Sequence, residues 1–287
     1  MFETVSVIGG DMRQLTLAGE LAKEGYKVYL YGFENAAESS GSSETELAHA
    51  LNADIIILPV PVSFDGENIN MPFGDKKLSV TELINTLNPS SLVFGGRIPD
   101  GIIRLFEDKK IAFRDYMKRE ELAIRNAVPT AEGAIEIAMS ELPITLHGSK
   151  CLVLGYGKIG KILSSMLSGM GAQTTVEARK YADLAMIEGH GCEALPLCEL
   201  SRYIHEFDVI FNTVPSLILT DSILEYVKKS ALIIDLASKP GGVDFEAAKQ
   251  LGLKVIWALS LPGKVAPVTS GIIIKDTIMN ILTELGV

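Results

Sequence analysis

Lys150-Cys151-Leu152-Val153-Leu154-Gly155-Tyr156-Gly157-Lys158-Ile159-Gly160 is the stretch on which the reading of this chain turns. A short apolar run, Leu152-Val153-Leu154, leads into Gly-x-Gly-x-x-Gly. A helical stripe follows, with Ile159, Ile162, Leu163, Met166, Leu167 and Met170 at three- and four-residue spacing. Strand, turn and helix in that order raise a glycine pattern from a weak signal to a dinucleotide fingerprint. Gly155 permits the tight turn, Gly157 lets the backbone approach a pyrophosphate, and Gly160 lets helix and strand pack closely. The helix start adds N–H groups and the positive end of its dipole. Tyr156, Lys158 and Ile159 complete the loop.

The strand that follows decides which dinucleotide. It reads Gln173-Thr174-Thr175-Val176-Glu177-Ala178-Arg179-Lys180. An NAD site wants a carboxylate at the strand end, roughly 20 residues past the fingerprint, for the ribose 2′-hydroxyl. Strand length places Ala178 there, with two cations behind it. An absent carboxylate followed by Arg179 and Lys180 suits the 2′-phosphate of NADP, which an Arg fork can grip. Glu177 points to the opposite face by alternation; a register error of one would restore NAD. Asn212-Thr213-Val214-Pro215 follows a later strand and is expected beside the adenosine or ribose. Asp235-Leu236-Ala237-Ser238-Lys239-Pro240-Gly241-Gly242 follows the next, with Ala237 and Ser238 near the nicotinamide, since open α/β sheets bind ligands at their strand C-termini.

Outward from this unit, strand and helix patterns alternate throughout. Strands are expected at 150–154, 173–178, 208–212, 231–236 and 254–256 in the second half. In the first half they are expected at 4–8, 27–31, 54–58, 91–94 and 110–113, with helices at 13–24, 43–51 and 79–87. The order implies α/β architecture: two doubly wound Rossmann-like domains with parallel sheets. A helix over 116–141 joins them, and an amphipathic helix over 268–285 ends the chain. The expected division is a substrate-side domain at 1–118, a linking helix at 119–143, a nucleotide domain at 144–267 and a C-terminal interface helix at 268–287. The two domains are expected to close over ligand. Residues 59–77, rich in Pro, Gly, Asp and Asn, form an irregular stretch of the kind that is usually functional.

The 287 residues suit two domains of roughly 120–150 residues each. A net charge of −10 without a basic stripe argues against nucleic acid and anionic membrane, so an anionic ligand needs a local positive site. Cys151, Cys192 and Cys198 are too few and too irregularly spaced for a disulfide framework or a metal site, and read as reduced thiols. The first ten residues show no basic n-region and no sustained apolar h-region, and no run approaches ~18 apolar residues, so a soluble cytoplasmic protein is expected.

The first strand ends at Gly9-Gly10-Asp11-Met12-Arg13-Gln14, which lacks the third glycine. That start suits a smaller anion such as a carboxylate, held by N–H groups and Arg13. The alternative is Asp11 as a plain N-cap.

Several landmarks together resemble the A-subunit family of dipicolinate synthase over essentially the whole length. They are Gly9-Gly10-Asp11-x-Arg13, Asn126-Ala127-Val128-Pro129-Thr130-Ala131-Glu132-Gly133-Ala134-Ile135, His147-Gly148-Ser149, Asn212-Thr213-Val214-Pro215 and Leu261-Pro262-Gly263-Lys264-Val265-Ala266-Pro267. The resemblance implies oxidation of a dihydro- or hydroxytetrahydro-dipicolinate to dipicolinate with NADP⁺, in the mother cell of a sporulating bacterium. It also implies a partner, the flavoprotein-like B subunit of dipicolinate synthase; a homo-oligomer is a further possibility. Two substrate carboxylates then need partners, for which Arg13, Arg97, Lys239 and Lys264 are the cationic candidates and Thr130 and Thr269 the neutral donors; Asp11, beside Arg13, is expected at the same substrate site. Glu132, Asp235 and Lys239 are candidates for proton transfer, although Glu132 could instead close a capping box with Thr130 and Asp235 could tie a loop. His49 and His205 read as solvated and His147 as a turn tie. The rival readings are a 2-hydroxyacid dehydrogenase, for which no persuasive His is in view, and a non-catalytic nucleotide-binding subunit.

Overall fold

The computed structural model describes residues 2–36 and 42–287. The chain divides into two compact units, residues 1–125 with 266–287, and residues 126–265.

Unit 1 runs β1 (Thr4–Ile8), α1 (Met12–Lys23), β2 (Lys27–Tyr31), β3 (Ser42–Glu44), α2 (Leu47–Ala50), β4 (Ile55–Ile57), α3 (Val80–Thr86), β5 (Leu92–Gly95), α4 (Asp100–Asp108) and β6 (Phe113–Asp115). Helix α5 (Glu120–Glu141) starts in unit 1 and continues into unit 2. Unit 2 then runs β7 (Lys150–Leu154), α6 (Lys158–Gly169), β8 (Gln173–Ala178), α7 (Tyr181–Gly189), β9 (Glu193–Pro196), α8 (Leu200–Tyr203), β10 (Val209–Asn212), α9 (Asp221–Leu224), β11 (Leu232–Asp235), α10 (Phe245–Gln250), β12 (Lys254–Trp257) and α11 (Leu261–Val265). Helix α12 (Pro267–Leu285) returns the chain to unit 1.

Each unit carries a six-stranded sheet with every pair parallel. The orders are β3-β2-β1-β4-β5-β6 and β9-β8-β7-β10-β11-β12, the same doubly wound sequence twice. Central strands such as Cys151-Leu152-Val153-Leu154 and Val209-Ile210-Phe211 are buried on both faces, as parallel sheets covered by helices require. In unit 2 one face carries Cys151, Val153, Val176, Ala178 and Phe211 against α6; the other carries Leu152, Leu154, Leu195 and Ile210.

In unit 1, α12 buries Ile273, Ile274, Ile278, Ile281 and Leu282 in the same core as Leu15, Leu17 and Leu21 of α1. Gly271 permits this approach, since a Cβ there would stand 2.5 Å from the Arg13 carbonyl oxygen and 2.8 Å from the Thr16 Cβ. Arg119–Glu284 and Arg125–Asp276 ion pairs border the same helix. Three expectations are corrected. The 43–51 segment opens with strand β3 instead of helix; the last strand of unit 1 lies at Phe113–Asp115, not 110–113; and β9 was not foreseen. The 116–141 helix is also broken at its start, by a separate 3-10 turn over Tyr116–Lys118.

Candidate dinucleotide site

The three fingerprint glycines stand in different surroundings. A Cβ on Gly160 would lie 2.1 Å from the Gly155 carbonyl oxygen. Gly155 has φ +91°, and a Cβ there would strike Val214 Cγ2 at 2.6 Å and Thr213 Oγ1 at 2.8 Å. The chain's own packing therefore demands both glycines. A Cβ on Gly157 would meet nothing within 4 Å, and its φ of −83° is open to any residue. Fold packing does not account for Gly157, whereas a bound pyrophosphate would. Gly157 is the N-cap of α6 and no side chain caps that helix, so its N-terminal N–H groups face the turn where phosphate is expected.

The strand ends beyond the turn are tied together. Buried Asn212 donates through Nδ2 to the Val214 carbonyl at 3.0 Å and to Asp235 Oδ1 at 2.8 Å, and its Oδ1 accepts the Val214 N–H at 3.1 Å. Asp235 also accepts the N–H groups of Ala237 (3.0 Å) and Gly242 (2.9 Å). Fully buried and saturated with donors, Asp235 is a loop-tying carboxylate, which removes it as a proton-transfer candidate. Asn212 is likewise a scaffold residue, leaving half-buried Thr213 and Val214 and exposed Pro215 at the rim. Ala237 is buried, its carbonyl taken by Trp257 Nε1 at 3.0 Å; Ser238 and Lys239 are exposed.

At the end of β8, Leu154 pairs with Glu177, so Gly155 stands beside Ala178. Ala178 lies in the α6-side core, while Arg179 and Lys180 are exposed. Glu177, on the other face, is 1% exposed; its Oε2 accepts the Gly155 N–H at 3.2 Å. Burial pushes this carboxyl up from its ordinary value, against the Gly155 N–H and the Arg179 charge, which hold it down. Tyr156 was counted only as part of the loop, yet its hydroxyl meets His190 Nδ1 at 2.6 Å, beyond the end of α7. No local pattern signals that bond, because the pair is 34 residues apart.

The equivalent turn of unit 1 is filled by its own chain. Gly10 N–H donates to the Asn70 carbonyl at 2.9 Å, and Met71 packs over Gly9 and Gly32, where Cβ atoms would lie 2.5 Å from its Cγ and 2.7 Å from its Sδ. Ile8 pairs with Tyr31, so Gly9 and Gly32 correspond to Gly155 and Ala178 of unit 2. Asp11 is the N-cap of α1 and forms a capping box with Gln14. It also pairs with Arg13 at 2.7 Å, and Arg13 Nη2 donates to the Val60 carbonyl at 2.9 Å. The expected anion turn is thus occupied: Gly10's N–H is spent and the charge of Arg13 is answered by Asp11.

Arg97 is exposed in the left-handed region at φ +51°, with its N–H and that of Ile98 accepted by Asp115, each at 3.2 Å. A hydrogen bond from Gly96 N–H to the Pro59 carbonyl joins its turn to the loop that holds Arg13. Thr130 lies mid-helix and donates to the Asn126 carbonyl at 2.7 Å, so the proposed capping box with exposed Glu132 does not form. Lys264 and Thr269 are exposed in their own units. A surface cavity of 390 Å³ lies at the opposite, N-terminal ends of β7–β9, lined by Lys150, Gln173, Thr175, Glu193 and Glu206. Lys150 and Glu206 of its lining pair at 2.7 Å, and it lies at the strand ends opposite the fingerprint. Among the described residues no acid, His and Cys group is placed to hold a metal, and no helix is long and apolar enough to cross a membrane.

The family model for the N-terminal domain of the dipicolinate synthase A subunit matches residues 4–117, and the shikimate/quinate 5-dehydrogenase model matches residues 136–256. The A subunit of dipicolinate synthase from Bacillus subtilis is 32% identical over 98% of this chain and 96% of its own length. The crystal structure of the A subunit of dipicolinate synthase from Bacillus halodurans superposes with TM-score 0.91 at 31% identity, covering 98% of this chain and 97% of that one. A transhydrogenase from Sinorhizobium meliloti, at 16% identity and TM-score 0.74, shares the fold. Unit 2 is thus a dehydrogenase-like domain of the kind that holds a nicotinamide cofactor, and the fingerprint geometry fits one. The chain belongs to the A-subunit family of dipicolinate synthase.

Proposed function

We propose that the chain is an NADP-dependent oxidoreductase that converts a dihydro- or hydroxytetrahydro-dipicolinate to dipicolinate. It works with a flavoprotein-like B subunit in the mother cell during sporulation. The observation that carries the nucleotide part is Gly157, a glycine over open space between two that packing requires. Family membership is what supports the substrate.

When bound, the nicotinamide supplies the hydride acceptor. The chain's own groups then orient and hold. The α6 N-terminus and Lys158 face the pyrophosphate, Arg179 and Lys180 the 2′-phosphate, Val214 and Pro215 the adenosine, and Ala237 and Ser238 the nicotinamide end. Arg97 and Arg13 answer substrate carboxylate, with Arg97 the stronger because Asp11 already neutralises Arg13. Aromatisation supplies much of the driving force, so orientation is the main demand on the protein.

The test is incubation with freshly made tetrahydrodipicolinate precursor and NADP⁺, following pyridine dicarboxylate absorbance with and without the B subunit. Growth of that absorbance, dependent on NADP⁺ and on this chain, supports the reading. No growth with either cofactor when both subunits are present would sink it.

A further inference from the structure

Glu177 is the buried acid that the proposed function leaves unused. Its neighbours Val176 and Ala178 face α6, while the residues paired with Glu177 on either side, Leu154 and Leu195, belong to the opposite apolar layer. A carboxyl therefore stands where an apolar side chain would fit. One oxygen rests on the N–H of the first fingerprint glycine, and the other, Oε1, is buried with no hydrogen-bond partner among the described residues. A native chain rarely leaves such an atom unsatisfied without a reason.

The surroundings limit what that reason can be. From β7, β9 and the fingerprint turn the neighbours are Leu154, Leu195 and Gly155, none of them charged. Just past the end of its own strand, Arg179 stands two residues on and is the charged group whose field reaches the carboxyl. Arg179 is also the residue assigned to the 2′-phosphate. A dinucleotide would bring negative pyrophosphate to the far side of Gly155, and a 2′-phosphate would engage the Arg179 charge that now favours the carboxylate. Both changes favour the neutral acid.

We propose that Glu177 is a positioning residue whose carboxyl, seated behind the fingerprint turn, takes up a proton from solvent when the dinucleotide binds, more completely with NADP⁺ than with NAD⁺. Protonated, it keeps its acceptor oxygen on the Gly155 N–H and adds no charge beside the phosphates. The inference rests on the dinucleotide reading of unit 2. Its consequence is an affinity that weakens as pH rises, with a limit of about tenfold per pH unit for one linked proton.

Calorimetric titration of the full chain with NAD⁺ and with NADP⁺, in buffers of different ionisation enthalpy between pH 5.5 and 8, counts the protons. NAD⁺ has no titrating 2′-phosphate and so isolates the protein's share. The wild type is expected to take up protons with NAD⁺ and Glu177→Gln none; with NADP⁺ the variant's count should be lower than the wild type's by a larger margin. Glu177→Leu, matching its apolar neighbours, should behave as Glu177→Gln. Tight binding with equal proton counts in wild type and both variants would overturn the inference alone. Failure of both dinucleotides to bind the wild type removes the underlying reading, and this inference with it.

Discussion

The first βα turns of the two units share a topology and differ in what fills them. In unit 2 the turn after β7 is Gly-x-Gly-x-x-Gly with open space above Gly157. In unit 1 the turn after β1 holds the Asn70 carbonyl on Gly10 and Met71 over Gly9 and Gly32. Residues 59–77 thus take, in unit 1, the place that a dinucleotide would take in unit 2. A doubly wound sheet offers the crevice, but the loops decide whether ligand or chain occupies it.

The sharpest test of this contrast is a side chain on each glycine of the open turn. Gly157→Leu should weaken dinucleotide binding at least about a hundredfold, because the added atoms fill the approach to the pyrophosphate. Its melting temperature should hold, since a Cβ at this position meets no protein atom within 4 Å. Gly160→Ala should instead destabilise the fold, its Cβ driven into the Gly155 carbonyl. Calorimetric titration and thermal melts on both variants separate the cases; a Gly157→Leu chain that binds normally would refute the site.

Cofactor choice comes next in size. Arg179→Ala should erode the NADP(H) preference about ten- to a hundredfold, the worth of one charge-assisted bond, with NAD(H) affinity hardly changed. Adding Ala178→Asp should turn selectivity towards NAD(H). A wild type that prefers NAD(H) would break the assignment at Ala178.

The closed turn of unit 1 gives a third test. Met71→Ala should cost about 2–3 kcal/mol of stability, near the lower end of core truncations because Met71 is only partly buried, and leave the dinucleotide stoichiometry at one per chain. Appearance of a second dinucleotide site would mean that Met71 alone keeps unit 1 closed. For substrate, Arg97→Ala should weaken apparent affinity by about 1.5–3 kcal/mol, with Arg13→Ala smaller and NADP⁺ binding unchanged in both. Unaltered steady-state kinetics in both variants would leave those turns purely structural.

The smallest effects concern pH, and one carboxyl in each unit should respond with opposite sign. Asp54 accepts the N–H groups of Glu3 and Thr4 and the Thr4 hydroxyl, which hold its carboxyl below the ordinary value. The unfolded chain then binds more protons, so this stabilisation is present at neutral pH and is lost as pH falls through the acid range. Glu177 is raised, so the folded chain binds more protons; its contribution is lost as pH rises through the folded value. Glu177→Gln should therefore raise stability at pH 8, by about 1.4 kcal/mol for each unit of displacement, and do nothing at pH 4. Asp54→Asn should lower stability at pH 7 and converge with the wild type in acid. Melts of the cofactor-free chain across pH read both, and parallel profiles would contradict the opposition.

What could be read from sequence follows from how each feature is specified. Strands β1, β2, β7 and β8 match their expected limits residue for residue, because glycine turns at Gly9, Gly25, Gly32, Gly148, Gly155 and Gly171 mark their ends. Edge strands β3 and β9 were missed: Ser42-Ser43-Glu44 holds no apolar residue, and Glu193-Ala194-Leu195-Pro196 buries only Leu195. The strand expected at 110–113 moved because Lys110 takes a left-handed turn, φ +56°, before Ile111 enters the core. The fingerprint was legible because every part of it is consecutive. The closed turn of unit 1 was not, since it depends on residues about sixty positions away folding back over two glycines. Asp235 shows the same limit, tied as it is to Asn212 on a neighbouring strand, 23 residues away.

The return of α12 to unit 1 has a consequence for how the chain is made. Glu24, just past α1, and Lys275 on α12 form an ion pair across 251 residues. At ~5–20 residues per second on the ribosome, the first partner waits about 13–50 s for the second. During that wait the face of α1 bearing Leu17 and Leu21 lacks its cover, while all of unit 2 emerges and is free to fold. The N-terminal half is thus the last to be finished. Until α12 arrives, the nascent chain carries that apolar face of α1 uncovered. Loss of the last twenty residues would therefore be felt at the opposite end of the sequence.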